Sequence, residues 1–227
     1  MLVLAIDTAL DACSAAVLDA DAEALLAAQT LDIDRGHAEA LIPLVERVMK
    51  VAGVGFEAID RIVTTVGPGS FTGLRVGISA ARGFALVTGK PAVGVTTLAA
   101  LAAPHLSESD AVPVVAAIDA RHGNLYLQMF GSGGRSLVAA RACGLREAVR
   151  AVALGPVRIV GSAAEMLAAH WPANATPPLA VEPRGAPEII WVARLGAAAD
   201  PRQAMPRPLY LRPAEARPQE TQHLPRR

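Results

Sequence analysis

The sequence predicts an α/β protein of two lobes built on one plan, and three observations lead there. Short continuous apolar runs alternate with longer segments of helical period, the pattern of sheets covered by helices. The tetrapeptide Ala5-Ile6-Asp7-Thr8 returns as Ala117-Ile118-Asp119-Ala120, each time at the end of an apolar run and followed by a turn and a second run, as an internal duplication would give. Between these repeats, TTVGPGSFTGLRVG at residues 64–77 joins an apolar run to a long Ala-rich segment. Glycine at that density marks a backbone that comes close to something.

Taken in order, residues 2–6 (LVLAI) read as a strand buried on both faces. Runs at 13–18 and 23–29, separated by Asp- and Ala-rich turns, extend it into an antiparallel meander. Residues 36–52 place Leu41, Leu44, Val45, Val48 and Ala52 on one helical stripe, with Glu46 and Lys50 paired at i,i+4 outside. Pro43 is expected to kink this helix, because it has no N–H for the carbonyl of Glu39. The β-branched run 61–66 is a strand leading into the glycine loop, and 72–88 is a helix with Leu74, Ile78, Ala81 and Ala85 on one face and Arg75, Ser79 and Arg82 on another. A strand at 92–95 and a helix at 96–103 complete a first lobe, residues 1–105, and the proline-led polar stretch 104–112 reads as a linker.

The second lobe, 106–200, opens with a strand pair in PVVAAIDARHGNLYLQMF and continues with a strand at 157–161 and helices at 162–170 and 186–199, so it is a reduced copy. Residues 201–227 carry six arginines and six prolines. That composition predicts irregular structure, with PLYLR at 208–212 as the apolar anchor packed back on the body.

Twenty-one basic residues balance 21 acidic ones, so no global field draws the chain to nucleic acid or a membrane. Residues 1–6 lack a basic signal-peptide start, and no apolar run approaches the roughly 20 residues of a membrane span. The expectation is a soluble cytoplasmic protein. Cys13 and Cys143 lack metal spacing and read as buried free thiols.

Several residues carry candidate chemistry. The loop Gly67-Pro68-Gly69-Ser70-Phe71-Thr72-Gly73 opens a helix, so its N–H groups could hold an anion, with Asp7 and Thr8 of the first turn beside it; a plain cap and tight turn is the competing reading. It matches neither G-x-G-x-x-G nor a lysine-bearing phosphate loop. Gly73, Gly77 and Ala80 or Ala81 form a strip without side chains, open to close approach by the 36–52 helix or by a helix of another subunit. His37 beside Gly36 reads as satisfying free backbone groups at a helix start. No Gly-x-Ser-x-Gly elbow is present.

Six segments in order, LAIDTALDACSAAVLD, GHAEALIPLV, VGPGSFTGLRVGISAARGFAL, KPAVGVTTLAALA, IDARHGNLYLQMF and PLYLR, together resemble the TsaB (YeaZ) family, a bacterial subunit of the machinery that makes N6-threonylcarbamoyladenosine in tRNA. The resemblance implies an actin-like ATPase fold of two ribonuclease-H-like lobes. It implies a non-catalytic scaffold that binds and stabilises the paralogous transferase TsaD, helps recruit TsaE, touches tRNA only indirectly, and forms a homodimer when alone. The partner surface is then expected on the first lobe's helices, at His37, Ala40, Leu41, Gly73, Arg75, Gly77, Ile78, Ala81 and Arg82. TsaD-type proteins place a His-x-x-x-His metal pair just after a Gly-Val strand. Here Gly94-Val95 is followed by Thr97 and Leu101 in those positions. Leucine offers no lone pair, so neither metal nor catalytic residues are expected. The first hairpin, Asp7 to Ser14, has no glycine, so no cofactor is expected beyond a weak or partner-completed nucleotide site at Asp7, Thr8, Gly67, Gly69 and Ser70. An actin-fold phosphotransferase or metallopeptidase-like hydrolase is the alternative reading, and a tRNA-binding module using the arginine-rich tail is a third.

Overall fold

A computed structural model describes residues 1–106 and 112–211. In the first lobe β1 (Leu2–Asp7), β2 (Ala12–Asp19) and β3 (Ala24–Asp32) form an antiparallel meander. Helix α1 (His37–Ala52) then crosses to β4 (Arg61–Gly67), parallel to β1, and α2 (Phe71–Thr88) crosses to β5 (Ala92–Thr96), parallel to β4. The sheet order is β3-β2-β1-β4-β5. After α3 (Thr97–Leu106), the second lobe repeats the plan with β6 (Val114–Asp119), β7 (Asn124–Phe130), β8 (Ser136–Gly144), α4 (Leu145–Val152), β9 (Arg158–Val160), α5 (Ala164–Ala169), β10 (Ala180–Glu182) and α6 (Ile189–Ala198). Its order, β10-β9-β6-β7-β8, is the same topology read from the other edge. The two lobes thus repeat one α/β plan.

The second lobe is therefore reduced in element length and complete in number. Helices α4 and α5 have 8 and 6 residues against 16 and 18 for α1 and α2. Strand β8, helix α4 and strand β10 went unread in the sequence. In β8 (SLVAARACG) alternation leaves only Cys143 buried, and Ala and Gly carry little strand signal.

Two helices are exchanged between the lobes. Helix α3 leaves β5 but buries Leu98, Leu101 and Ala102 against Val114, Ala116, Ile118 and Phe130 of the second sheet. Reciprocally, α6 leaves β10 and buries Ile189, Val192 and Ala193 against Val3, Ala5, Val63 and Val93 of the first. At Gly196 a Cβ would run into the Val63 side chain, so α6 lies tight on that sheet. Arg61 completes the crossing, its Nη1 donating to the carbonyls of Gly196, Ala197 and Ala199 at 2.8, 2.7 and 2.9 Å at the end of α6, where carbonyls lack helical partners. The division at 105/106 falls in the last turn of α3, and the one at 200 lies just beyond α6. Of the predicted linker, 104–106 belong to α3, and 107–111 lie outside the described residues. Helix α1 is unbroken from His37 to Ala52. Pro43 stands on its exposed side, where the carbonyl of Glu39 can turn to water.

On the outer face of the first sheet α1 and α2 share a core of Leu4, Ile6, Val17, Leu41, Leu44, Val45, Val48 and Ala81. No helix among the described residues is long and apolar enough to cross a membrane.

Candidate functional site

At the carboxyl ends of β1 and β4 a polar cluster lies under the sheet's edge. Asp7 is fully buried; its Oδ1 accepts from the Thr65 hydroxyl and from the Ala9 N–H, the latter at 3.0 Å. Its Oδ2 and the buried Thr97 Oγ1 have no partner among the described residues. Burial pushes the Asp7 carboxyl above its usual range, more than the hydroxyl and amide donors pull it down. The same burial, with the Asp7 charge beside it, pushes the Cys13 thiol up to about 11, which leaves it an inert buried thiol.

Above this cluster, between the lobes, opens a cleft of ≈ 430 Å³ lined by Leu10, Asp11, Gly69, Ser70, Asp119 and Arg121, among others. It is bounded by the two duplicated hairpin turns and by the start of α2. Arg121 and His122 hold the second turn in the left-handed region, at φ 63 and 54.

The glycine loop is pressed against its own chain. A Cβ at Gly69 would enter the Ala9 backbone, and one at Gly73 the Thr8 carbonyl; at Gly77 it would lie 2.6 Å from Thr8 Oγ1 and 3.0 Å from Thr64 Oγ1. Gly67, at φ +111, has the Leu209 carbonyl 2.8 Å from its Cβ position. Some of the amides here bond within the chain. Ser70 N donates to the Ala9 carbonyl at 2.7 Å, Gly73 N to the N-cap Ser70 Oγ at 3.3 Å, and Ala9 N to Asp7. Thr8 Oγ1 donates back to the Gly73 carbonyl at 2.7 Å. These bonds close the first hairpin onto the start of α2. Of the expected anion residues, Gly69 and Ser70 face the cleft, Asp7 and Thr8 lie buried beneath it, and Gly67 faces residue 209.

Of the expected partner surface, Gly73, Gly77, Ile78, Ala81 and Leu41 are buried in the chain's own core; the bare strip meets Thr8 and Thr64. His37, buried, donates from Nε2 to the Leu10 carbonyl at 2.9 Å and ties α1 to the first hairpin. The residue before the helix is Gly36, in the left-handed conformation without a side-chain cap. Ala40 is half-buried, and Arg75 and Arg82 are exposed.

What the outer face of α1 and α2 does present went unread. Ile42 and Val51 of α1 are exposed, and Leu86 and Val87 of α2 are each 86% exposed. Gly83, in mid-helix, has nothing within 4 Å of its Cβ position. The available signal was that Leu86 and Val87 fall off the Leu74, Ile78, Ala81, Ala85 stripe, whose first three residues are buried.

Beside α2 runs a strap, residues 204–211, longer than the expected 208–212 anchor; 212–227 lie outside the described residues. It is held by Gly94 N to the Ala204 carbonyl and Leu209 N to the Val66 carbonyl, both 2.7 Å, and by Arg82 Nη2 to the Pro206 carbonyl, 2.6 Å.

Thr97 opens α3 and is buried, and Leu101, one turn on, is buried in the contact between lobes. Among the described residues no three His, Cys, Asp or Glu side chains come together to hold a metal ion.

Comparison with known proteins supplies the lineage. Residues 31–165, more than half of the chain, match the family described as TsaD: tRNA N6-adenosine threonylcarbamoyltransferase. The tRNA threonylcarbamoyladenosine biosynthesis protein TsaB of Escherichia coli is 38% identical over 126 residues, 56% of this chain and 53% of that protein. A tRNA N6-adenosine threonylcarbamoyltransferase of Jannaschia sp. is 40% identical over 101 residues, 44% of this chain and 25% of that one. The chain spans about half the length of the curated TsaB relatives it matches. Among solved structures, YeaZ from Pseudomonas aeruginosa superposes with a TM-score of 0.74 at 30% identity, covering 92% of this chain and 99% of that one. With its doubled sheet topology, its exchanged helices and this near-complete structural match, the chain belongs to the TsaB (YeaZ) family.

Proposed function

We propose that this protein acts in the cytoplasm as the scaffold subunit of the assembly making N6-threonylcarbamoyladenosine in tRNA. It binds and stabilises a TsaD-type transferase through the outer face of α1 and α2, helps recruit TsaE, and pairs with itself when alone. The observation that carries the reading is that face. Leu86 and Val87 stand out from α2 at 86% exposure one turn beyond Gly83, whose Cβ position is open, and Ile42 and Val51 are exposed on opposite flanks of α1. Exposed apolar side chains on two adjacent helices mark an interaction site. An uncovered glycine in mid-helix costs roughly 0.5–1 kcal/mol relative to alanine, a cost that close packing by a partner helix would offset.

A scaffold role also accords with the interior. Where a TsaD-type protein is expected to carry its two histidines, this chain has a buried Thr97 and buries Leu101 among Leu98, Ala102, Val114 and Ile118. The first hairpin is closed onto α2 by the Thr8, Ala9, Ser70 and Gly73 bonds. The test is complex formation with the TsaD-type subunit by the Leu86→Glu variant. Leu86 supports nothing in the core, so the melting temperature should hold while the complex is lost; an undiminished complex would sink the assignment of this face.

A further inference from the structure

We propose that the groove between the lobes is a binding site for a basic amino acid of the lysine or arginine class. The proposal is independent of the α1/α2 reading above.

The groove is longer than the cleft between the two hairpin turns. A second cavity, of ≈ 270 Å³, is lined by Thr30 and Asp32 of β3 and by the 184–188 loop that leads into α6. Asp11 and Gly185 line both cavities, so the two chambers join there. Their combined size is that of a small-molecule site, roughly 300–1,000 Å³.

The floor of the groove is polar and ordered. Val3 and Ala5 of β1 pack with α6, so by strand alternation Asp7 faces the second lobe as well. Register sets Ser14 and then Thr30 beside it, the Ser14 and Thr30 hydroxyls bond at 3.0 Å, and Thr65 donates to Asp7 Oδ1 from the other side. A polar row thus crosses four strands and ends in the second chamber. Within it Asp7 is fully buried, and its Oδ2 has no partner among the described residues. A buried acceptor left in that state is stabilised by a donor that enters the groove.

Charge identifies the ligand. Arg184 is taken up by Glu188 at 2.6 Å and by Glu182 at 3.7 Å. The other charged side chains lining the chambers are Asp11, Asp32, Asp119 and Arg121, all exposed and without an ion pair among the described residues. Three carboxylates and one guanidinium complement a molecule with two cationic groups and one carboxylate. Asp119 Oδ1 accepts the Arg121 N–H at 2.7 Å, so an acid and a base share one turn, as the ammonium and carboxylate of an amino acid share one carbon. Asp11 and Asp32 lie further along for the side-chain cation, and Leu10 and Ile118 wall the path of its methylenes. Among the described residues no three acidic, His or Cys side chains come together; carboxylates spread along a groove suit separate cationic groups better than one metal ion.

The test titrates the full chain with L-lysine and L-arginine by calorimetry, with norleucine (no side-chain cation) and cadaverine (no carboxylate) as controls. Lysine or arginine should bind saturably, more weakly as salt is raised, and both controls should bind about tenfold more weakly or worse. Asp11→Asn and Asp119→Asn, which keep the shape and the Oδ1 acceptor, should each cost lysine about tenfold. Arg121→Gln should weaken lysine and leave cadaverine unchanged. Amides of residues 9–11 and 119–121 should slow in hydrogen exchange when lysine is added to wild-type protein, a readout that depends on no variant folding. Absence of saturable binding, norleucine or cadaverine binding as tightly as lysine, or variants that bind as wild type would overturn the proposal. Leu86→Glu protein should take up lysine as wild type does, so either reading can fail without the other.

Discussion

Two glycines six residues apart on α2 should respond to alanine in opposite directions. Gly83 has open space at its Cβ position, so Gly83→Ala should stabilise the isolated protein by about 0.5–1 kcal/mol through helix propensity alone. Gly77→Ala gains the same propensity but drives a methyl to 2.6 Å from Thr8 Oγ1 and 3.0 Å from Thr64 Oγ1. Thr8 Oγ1 cannot swing away without abandoning the buried Gly73 carbonyl, and orphaning such a group costs about 1–3 kcal/mol. With overpacking of similar size added, Gly77→Ala should come out destabilised by about 1–3 kcal/mol net. For a chain of this size about 2–4 °C accompanies each kcal/mol, so the two melting temperatures should separate by several degrees, with Gly83→Ala above wild type and Gly77→Ala below it. Binding should then divide them the other way. Gly83→Ala, the more stable protein, should bind its partner more weakly, because the methyl stands where a neighbouring helix must approach. A Gly77→Ala protein as stable as wild type would refute the packing argument, and unchanged partner affinity in Gly83→Ala would refute the close approach.

Two further outcomes follow from buried charge and from the exchanged helix. Burial raises the folded-state pKa of Asp7 above its unfolded value, so the folded form holds the extra proton, and this group's contribution to stability falls as pH rises from the unfolded pKa towards the folded one. Asp7→Asn should therefore flatten the fall in urea-unfolding free energy over that window and be neutral or stabilising at its alkaline end; a steeper fall would contradict the assignment. Arg61→Ala should cost about 2 kcal/mol, the scale of a partly buried cation at a helix C-terminus, and should free the amides of α6 to exchange first. Uniform exchange across the protein would show that Arg61 does not hold the crossing.

Much of this architecture was legible in residue pattern alone because the duplicated strand-Asp-turn-strand units are apolar runs broken by Asp7 and Asp119. The two exchanged helices were not. LAALAAPHL and IIWVARLGAA are apolar enough to pack on either sheet, and only the tertiary structure decides which face they choose. The glycine loop was legible as close approach but not as to what: Gly69, Gly73 and Gly77 meet Ala9, Thr8 and Thr64, residues more than 50 positions away or on a neighbouring strand. The burial of the small-residue strip was hidden for a related reason. A strip of small residues on a helix reads the same whether it faces the chain's own sheet or another subunit, whereas the exposed Leu86 and Val87 become conspicuous only once the buried face of α2 is known.

The central claim, that this chain supports a transferase rather than performing the transfer, is tested most directly by reconstitution. Purified chain should give no threonylcarbamoyladenosine on tRNA from threonylcarbamoyl-adenylate by itself, and should raise the yield when the TsaD-type subunit and TsaE are added. Modified adenosine formed by this chain alone would contradict the account.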